Sequence, residues 1–297
     1  TGAGLNQVKD SLYTHDYIKR KKLFENYIEL GKYDQSFKPG KYMLRNRMNS
    51  PELVYMLIRG LQTPVNVSFH NIRKPEELAG RIARQIEADS LCLLKLFSDE
   101  TFLSQYNISA LTLFTITIPN TYEMWWNSTA EDFLVRMVSE SGKFWQGARR
   151  QKADSIGLSI PEVIILASII EKETAMIDEK PQIAGVYMNR LQRKWPLQAD
   201  PTLIYAWDDF TINRVLNKHK EINSPYNTYK NRGLPPGPIC LPSIASIDAV
   251  LNYYHHQYMY FCAREDFSGY HVYSSSLNEH NRNARKYQEA LSKKLRN

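Results

Sequence analysis

The run "SIPEVIILASIIEKET", residues 159 to 174, constrains the fold more than any other stretch. Ser159 stands three residues ahead of Glu162, the spacing of a capping box, and Pro161 falls in the first turn. The residues from Val163 to Ile170 then form a strongly apolar helix, which belongs inside a core. Two glutamates, Glu171 and Glu173, close it. At 100° per residue they point about 160° apart, so they cannot act as a side-by-side carboxylate pair.

Their predicted neighbours differ. Glu173 shares its face with Leu166, Ile169, Ile170, Met176 and Ile177, all apolar. Glu171 shares its face with Ile164, Ala167, Ser168, Ala175 and Asp178, which are smaller and more polar. A carboxyl on an apolar face is costly to ionise, so its pKa rises, as a general acid near neutral pH requires. Glu173 is therefore the candidate acid. The alternative is that it pairs with a buried Arg or Lys, or caps backbone. Periodicity alone names no reaction.

Composition narrows the class. In 297 residues, 43% are hydrophobic and 23% charged, as in ordinary folded domains, and the length allows one large domain or two smaller ones. No apolar run approaches the ~18 residues that span a bilayer. The chain begins "TGAGLNQ", without Met or a signal-peptide pattern, as a mature or trimmed fragment does. The net charge of +7 is either spread over a solvated surface or suited to an anionic partner. The basic clusters "YIKRKKL" and "GARRQK" match no nucleic-acid module. Cys92, Cys240 and Cys262 form no CxxC pair, which leaves them as small buried residues. Nineteen tyrosines and five tryptophans serve packing or form stacking platforms for sugar rings or bases.

The remaining elements read as follows. "DYIKRKKLFENYIEL" is helical, "FKPGKYML" turns into a strand, and "NSPELVYMLIRG" is a helix capped by Asn49 or Ser50 and ended by Gly60. "PVNVSFHNI" is a strand and "KPEELAGRIARQIEAD" an amphipathic helix. "LTLFTITIPNTYEMWWNS" is a strand run into an aromatic loop, and "TAEDFLVRMVSESGKFWQGARRQKADSIG" is helical. After the apolar helix, another runs from about Asp178 through "QIAGVYMNRLQRK". An irregular stretch of roughly fifty residues follows, long enough to be functional. "SIASIDAVLNYYHHQ" is a helix and "YMYFCAREDFSGYHVYS" a hairpin. The closing helix "SLNEHNRNARKYQEALSKKL" carries a capping box at Ser276 and Glu279.

"ASIIEKET", "AGVYMNRL", "LQADPTLIYA" and "SPYNTYKNRGLPPGPICLPS", in that order and spacing, resemble the MltG (YceG-like) family of endolytic murein transglycosylases. "IPNTYEMWW" is similar to that family's loop before the catalytic helix, with Asn120 where an aspartate is usual. The resemblance implies an α+β fold, with a small LysM-like subdomain over residues 1–63 and a mixed helix/strand catalytic domain with a glycan cleft over 64–297. It implies that Glu173 is the general acid/base, which leaves Glu171 as a structural residue or, alternatively, a helper across the helix. Glu173 would cleave the MurNAc–GlcNAc bond of nascent peptidoglycan and leave a 1,6-anhydro-MurNAc end, with no cofactor, metal or water consumed.

The resemblance further implies substrate contacts from Gln198, Asp200, Tyr226, Asn227, Tyr229 and His271. Asp200 alternatively caps the turn at Asp-Pro, and His271 is alternatively a strand histidine satisfied by its neighbours. Asn189 and Arg190 would orient the catalytic helix, unless Arg190 only packs. Gly233 and Gly237 shape the wall. The expected setting is the bacterial envelope, with an inner-membrane anchor upstream, the domain facing the periplasm, and cell-wall synthases rather than nucleic acid as partners. In that setting the enzyme would terminate strand elongation. Two other readings stay open: a lysozyme-like muramidase using Glu173 with Asp200 as base, and a non-catalytic peptidoglycan-binding scaffold.

Overall fold

A computed structural model describes residues 2–31 and 37–294. Helices α1 (Leu5–Thr14), α2 (Lys21–Gly31) and α3 (Ser50–Arg59) come first, then strand β1 (Val65–Ser68). Helices α4 (Pro75–Ala83), α5 (Ser90–Phe97) and α6 (Glu100–Ser104) lead through a 3-10 turn, Ala110–Thr115, to β2 (Thr121–Met124). Then come α7 (Ala130–Phe144), α8 (Ala148–Ser155), α9 (Ile160–Glu173), α10 (Lys180–Gln192), α11 (Asp200–Trp207) and α12 (Ile244–Leu251). The hairpin β3 (Tyr260–Ala263) and β4 (His271–Ser274) and helix α13 (Leu277–Lys294) end the described chain. Both sheets are antiparallel pairs, β1 with β2 and β3 with β4, so the fold is α+β as expected.

The chain forms two compact units. One comprises residues 1–69, 78–96 and 120–134; the other comprises 70–77, 97–119 and 135–297. In the first, α1 to α3 enclose Phe24, Ile28, Leu53 and Val54. Asn49 caps α3 by accepting from the Glu52 amide at 2.8 Å, and Gly60 ends it in the left-handed region at φ 67°. The strand expected over 37–44 is absent. Pro39 has no N–H, and this segment is held by single backbone bonds, such as Lys38 to Leu57 and Thr63 to Lys41, rather than by a ladder. In the same unit Asn120 bonds the Thr121 amide at the start of β2.

The second unit is built round α9. Val163, Ile164, Leu166, Ala167, Ile169 and Ile170 are fully buried, so the helix is enclosed on all sides by α8, α10, α11 and α12. Burying each large aliphatic side chain contributes about 1.5–3 kcal/mol. Ser159 and Glu162 form the expected capping box. The helix stops at Glu173, two residues after Glu171, the first half-buried position past the apolar run. Thr174 is extended, and its hydroxyl accepts from the Met176 amide at 3.0 Å and donates to buried Glu179 at 3.1 Å. The predicted faces therefore end at Glu173; Met176 and Ile177 extend no apolar stripe, and Ile177 is exposed.

Three further expectations change. The apolar run 111–118 is a 3-10 turn and coil, because Thr115 and Thr117 bond back to the Thr112 and Leu113 carbonyls and supply locally what a strand partner would. The irregular stretch contains α11 and a 3-10 turn of its own, Asn217–Glu221. Of the cysteines only Cys240 is buried; Cys92 is exposed and Cys262 half-buried. The hairpin turn falls as expected; of the expected box one half forms, the Glu279 amide donating to Ser276, while the Glu279 carboxyl accepts from the Ser275 amide instead. Leu295, the expected end of that helix, lies outside the described residues.

Candidate active site

Glu173 is the last residue of α9 and opens into a cleft of about 410 Å³. Its carboxyl accepts a hydrogen bond from the Tyr187 hydroxyl on α10. Tyr187 is itself buried, its ring edge-on to Phe261 of β3 at 5.9 Å. Glu173 keeps some accessible surface, as contact with a ligand requires, yet the protein packed round the carboxyl strips most of its hydration. This desolvation pushes its pKa up to about 7; the charge of Asp200 adds to the rise, while Tyr187 and Arg190 oppose it. The negative end of the α9 dipole acts upward as well.

From the connection between α10 and α11, and the loop beyond, come Gln198, Asp200 and Tyr229. Gln198 holds a left-handed φ of 50°, rare for a residue with a side chain. The turn is fastened to Thr228, whose carbonyl accepts from Gln198 N and whose hydroxyl accepts from Ala199 N, both at 3.0 Å. Asp200 opens α11 without capping it and accepts from the Tyr229 hydroxyl at 2.5 Å. Burial, then this carboxylate, keeps the Tyr229 hydroxyl protonated far above ordinary pH.

The other contributions to the cleft come from β3 and the first turn of α13: Tyr260, Phe261, Leu277, His280 and Asn281. Their place is set from α10. Gly185 lies so close to the passing segment that an added Cβ would stand 2.3 Å from the Tyr254 carbonyl. One turn on, Asn189 donates to the His256 and Tyr258 carbonyls at 2.8 and 2.9 Å. Arg190 donates to the Met259 carbonyl at 2.8 Å and to the Leu197 carbonyl. Asn189 and Arg190 thus clasp the segment entering β3 rather than orienting α9; buried Arg190 also lines the cleft.

Of the residues expected to touch substrate, Gln198, Asp200 and Tyr229 join Glu173 in the cleft, while Tyr226, Asn227 and His271 are outside its lining. Fully buried Asn227 folds the loop beneath Tyr229: it donates to the Lys220 and Ile222 carbonyls, both at 2.8 Å, and accepts from the Tyr229 amide. Tyr226 packs on Tyr205, 4.7 Å between ring centres. An added Cβ on neighbouring Gly237 would meet the Leu111 carbonyl at 2.4 Å. His271 is satisfied by Glu179, through its amide at 2.6 Å and Nδ1 at 2.9 Å.

Glu171 takes the buried cation. Its Oε2 accepts from Lys180 Nζ at 2.8 Å and from the hydroxyls of Ser243 and Ser246 at 2.6 and 2.5 Å. Burial acts to raise its pKa, but these bonds outweigh it and hold the carboxyl below its ordinary value. Sequence reasoning missed Tyr187, Tyr260, Phe261, His280 and Asn281. Only Tyr187 left a signal, three residues before Arg190 and so on the same helix face. Among the described residues, no group of three His, Cys, Asp or Glu side chains is placed to hold a metal ion.

Comparison with known proteins bears out the resemblance read from the motifs. The YceG-like family profile matches residues 1–286. The endolytic murein transglycosylase of Bacillus subtilis (strain 168) is 29% identical over 303 aligned residues, which cover 97% of this chain and 83% of the relative. That of Streptococcus pneumoniae serotype 2 (strain D39 / NCTC 7466) is 27% identical, covering 95% of this chain and 56% of its own length. A crystal structure of a yceG-like protein from Listeria monocytogenes superposes with a TM-score of 0.63 at 27% identity, covering 95% of this chain and 96% of that one. The chain belongs to the YceG-like family.

Proposed function

We propose that this chain is an endolytic murein transglycosylase with Glu173 as its acid and base. The observation that carries the reading is the half-buried Glu173 carboxyl, held by Tyr187 in a polar cleft and pushed up to about 7. A carboxyl with that pKa is protonated for a large fraction of the time near neutral pH, as protonation of a glycosidic oxygen requires. It passes its proton to the GlcNAc oxygen as the bond to muramic C1 breaks, and the Tyr187 O–H stabilises the carboxylate that forms. That carboxylate then takes the proton of the muramic C6 hydroxyl as O6 bonds to C1. The strand is cut, a 1,6-anhydro end results, and Glu173 regains its starting state without water. Gln198, Asp200 and Tyr229 bind the sugars, and Glu171 keeps the end of α9 in place.

Asp200, in the same cleft, supports the competing hydrolase reading, in which it would activate water. Mass analysis of fragments released from purified glycan strands separates the two. Anhydro ends are expected; free reducing ends overturn the transglycosylase reading. Strand cleavage should vanish in Glu173→Gln with folding intact.

The wider setting belongs to the same proposal. Residues 1–63 act as a LysM-like strand-binding module ahead of a catalytic part over 64–297. The protein works in the envelope, anchored to the inner membrane from upstream, beside the synthases whose strands it terminates. Among the described residues no single helix is long and apolar enough to cross a membrane.

A further inference from the structure

The ring of His280, in the first turn of α13, stacks on Tyr260 of β3 with centroids 5.4 Å apart and planes 26° from parallel. Both residues line the cleft that holds Glu173. Behind Tyr260 stands the Arg190 guanidinium, 5.7 Å from the ring centre. His280 Nδ1 is enclosed and has no hydrogen-bond partner. Desolvation first, then the Arg190 charge, hold the His280 pKa below its ordinary value, so the ring stays neutral. Asn281, exposed beside it, lines the cleft too.

We propose that the first turn of α13 is a sugar-recognition wall, with His280 flat on Tyr260 and the Asn281 amide contacting an N-acetylhexosamine of the strand. The ring pair offers an apolar face to pyranose C–H groups, and the second ring nitrogen, Nε2, which is not enclosed as Nδ1 is, can meet a hydroxyl. The amide offers the donor and acceptor that an acetamido group needs. Arg190 is occupied by the Met259 and Leu197 carbonyls, so this wall suits an uncharged sugar face better than an anion. The wall is held in place by its neighbours: Asn283 donates to the Ser274 hydroxyl at 3.1 Å, and Glu279 accepts from the Ser275 amide at 3.2 Å. Asn281 and His280 thereby join Gln198, Asp200 and Tyr229 in holding the strand, whereas Asn227 and Tyr226, named by the resemblance, are outside the cleft lining.

This inference rests on the glycan-strand reading, and its test separates the two. Calorimetry measures a GlcNAc–MurNAc tetrasaccharide binding to the full chain carrying Glu173→Gln. Adding His280→Ala should weaken binding about tenfold, the loss of one hydrogen bond and one stacking contact. Adding His280→Phe, which keeps the platform and removes the nitrogens, should weaken it about threefold, as should Asn281→Ala. In the active chain His280→Ala should raise KM with kcat within about twofold, the split expected of a binding residue. Unchanged affinity in His280→Ala, with an unchanged melting temperature, overturns the inference while the enzymatic reading stands. If His280→Ala melts early, His280→Phe and Asn281→Ala decide by the same criterion. If the Glu173→Gln chain binds no tetrasaccharide and the wild type releases no anhydro ends, both readings fall.

Discussion

Glu171 and Glu173 are separated by one lysine and are driven in opposite directions, because one faces a buried ammonium and the other a cleft with none free. For Glu173 the folded pKa of about 7 lies above the ordinary glutamate value of 4.5. The native state then binds more protons than the unfolded state between those values, so stability falls as pH rises through the folded pKa. Glu173→Gln should be more stable than wild type by about 1–3 kcal/mol at pH 8, with the difference gone near pH 4. Urea titrations at the two pH values check this; equal stability at pH 8 would refute the raised pKa. The acidic role predicts an activity arm that declines as pH rises through about 7. Glu171 behaves conversely: its lowered pKa contributes stability above the ordinary carboxyl range, lost as pH falls through the folded value. Removing it strands Lys180, whose side chain is 5% exposed. Glu171→Ala should cost about 2–4 kcal/mol, and adding Lys180→Met should recover part of that loss. Failure of the second change to rescue would mean that the pair is not the source of the cost.

At the level of elements, α10 is the part that sets the cleft, since Gly185, Asn189 and Arg190 all hold the segment running into β3. Gly185→Ala has no room for its methyl group, which would stand 2.3 Å from a backbone carbonyl. It should cost about 1–3 kcal/mol and displace Tyr260 and Phe261, lowering kcat/KM more than its stability loss explains. An unaltered melting temperature together with unaltered kcat/KM would show that the clasp is slack. Such contacts explain what the sequence could and could not reveal. The capping box at Ser159 and the apolar run behind it were legible because they are local and periodic. Glu173 was legible for a similar reason, though the stripe inferred from Met176 and Ile177 was wrong: the helix ends at Glu173, and what meets the carboxyl there is Tyr187 of α10, in a cleft that Phe261 of β3 also lines. The 111–118 run misled because threonines interleaved with Leu, Phe and Ile imitate the alternation of a strand, while the Thr115 and Thr117 hydroxyls bond back to the local backbone. His280 and Asn281 lie more than 100 residues from Glu173 and enter the cleft only through the pairing of β3 with β4 and the packing of α13, which no local pattern encodes.

Across the whole molecule the charge is +7, from 38 Lys and Arg against 31 Asp and Glu. Peptidoglycan carries carboxylates on its stem peptides, whereas its sugar rings are largely uncharged where the cleft would hold them. Long-range attraction and local recognition are therefore physically separate: one is screened over ~8–10 Å at moderate salt, the other acts through contact. Raising ionic strength from about 50 to 300 mM should raise KM on stem-bearing strands severalfold and leave kcat unchanged. On strands stripped of their peptides the same salt change should have little effect, since the anionic groups are gone. His280→Ala should shift KM on both substrates by the same factor and leave the salt slope as it was, because a neutral imidazole takes no part in the screened attraction. A KM insensitive to salt on stem-bearing strands would show that the excess positive charge serves solvation alone. A changed slope in His280→Ala would mean that the wall reads charge rather than the sugar.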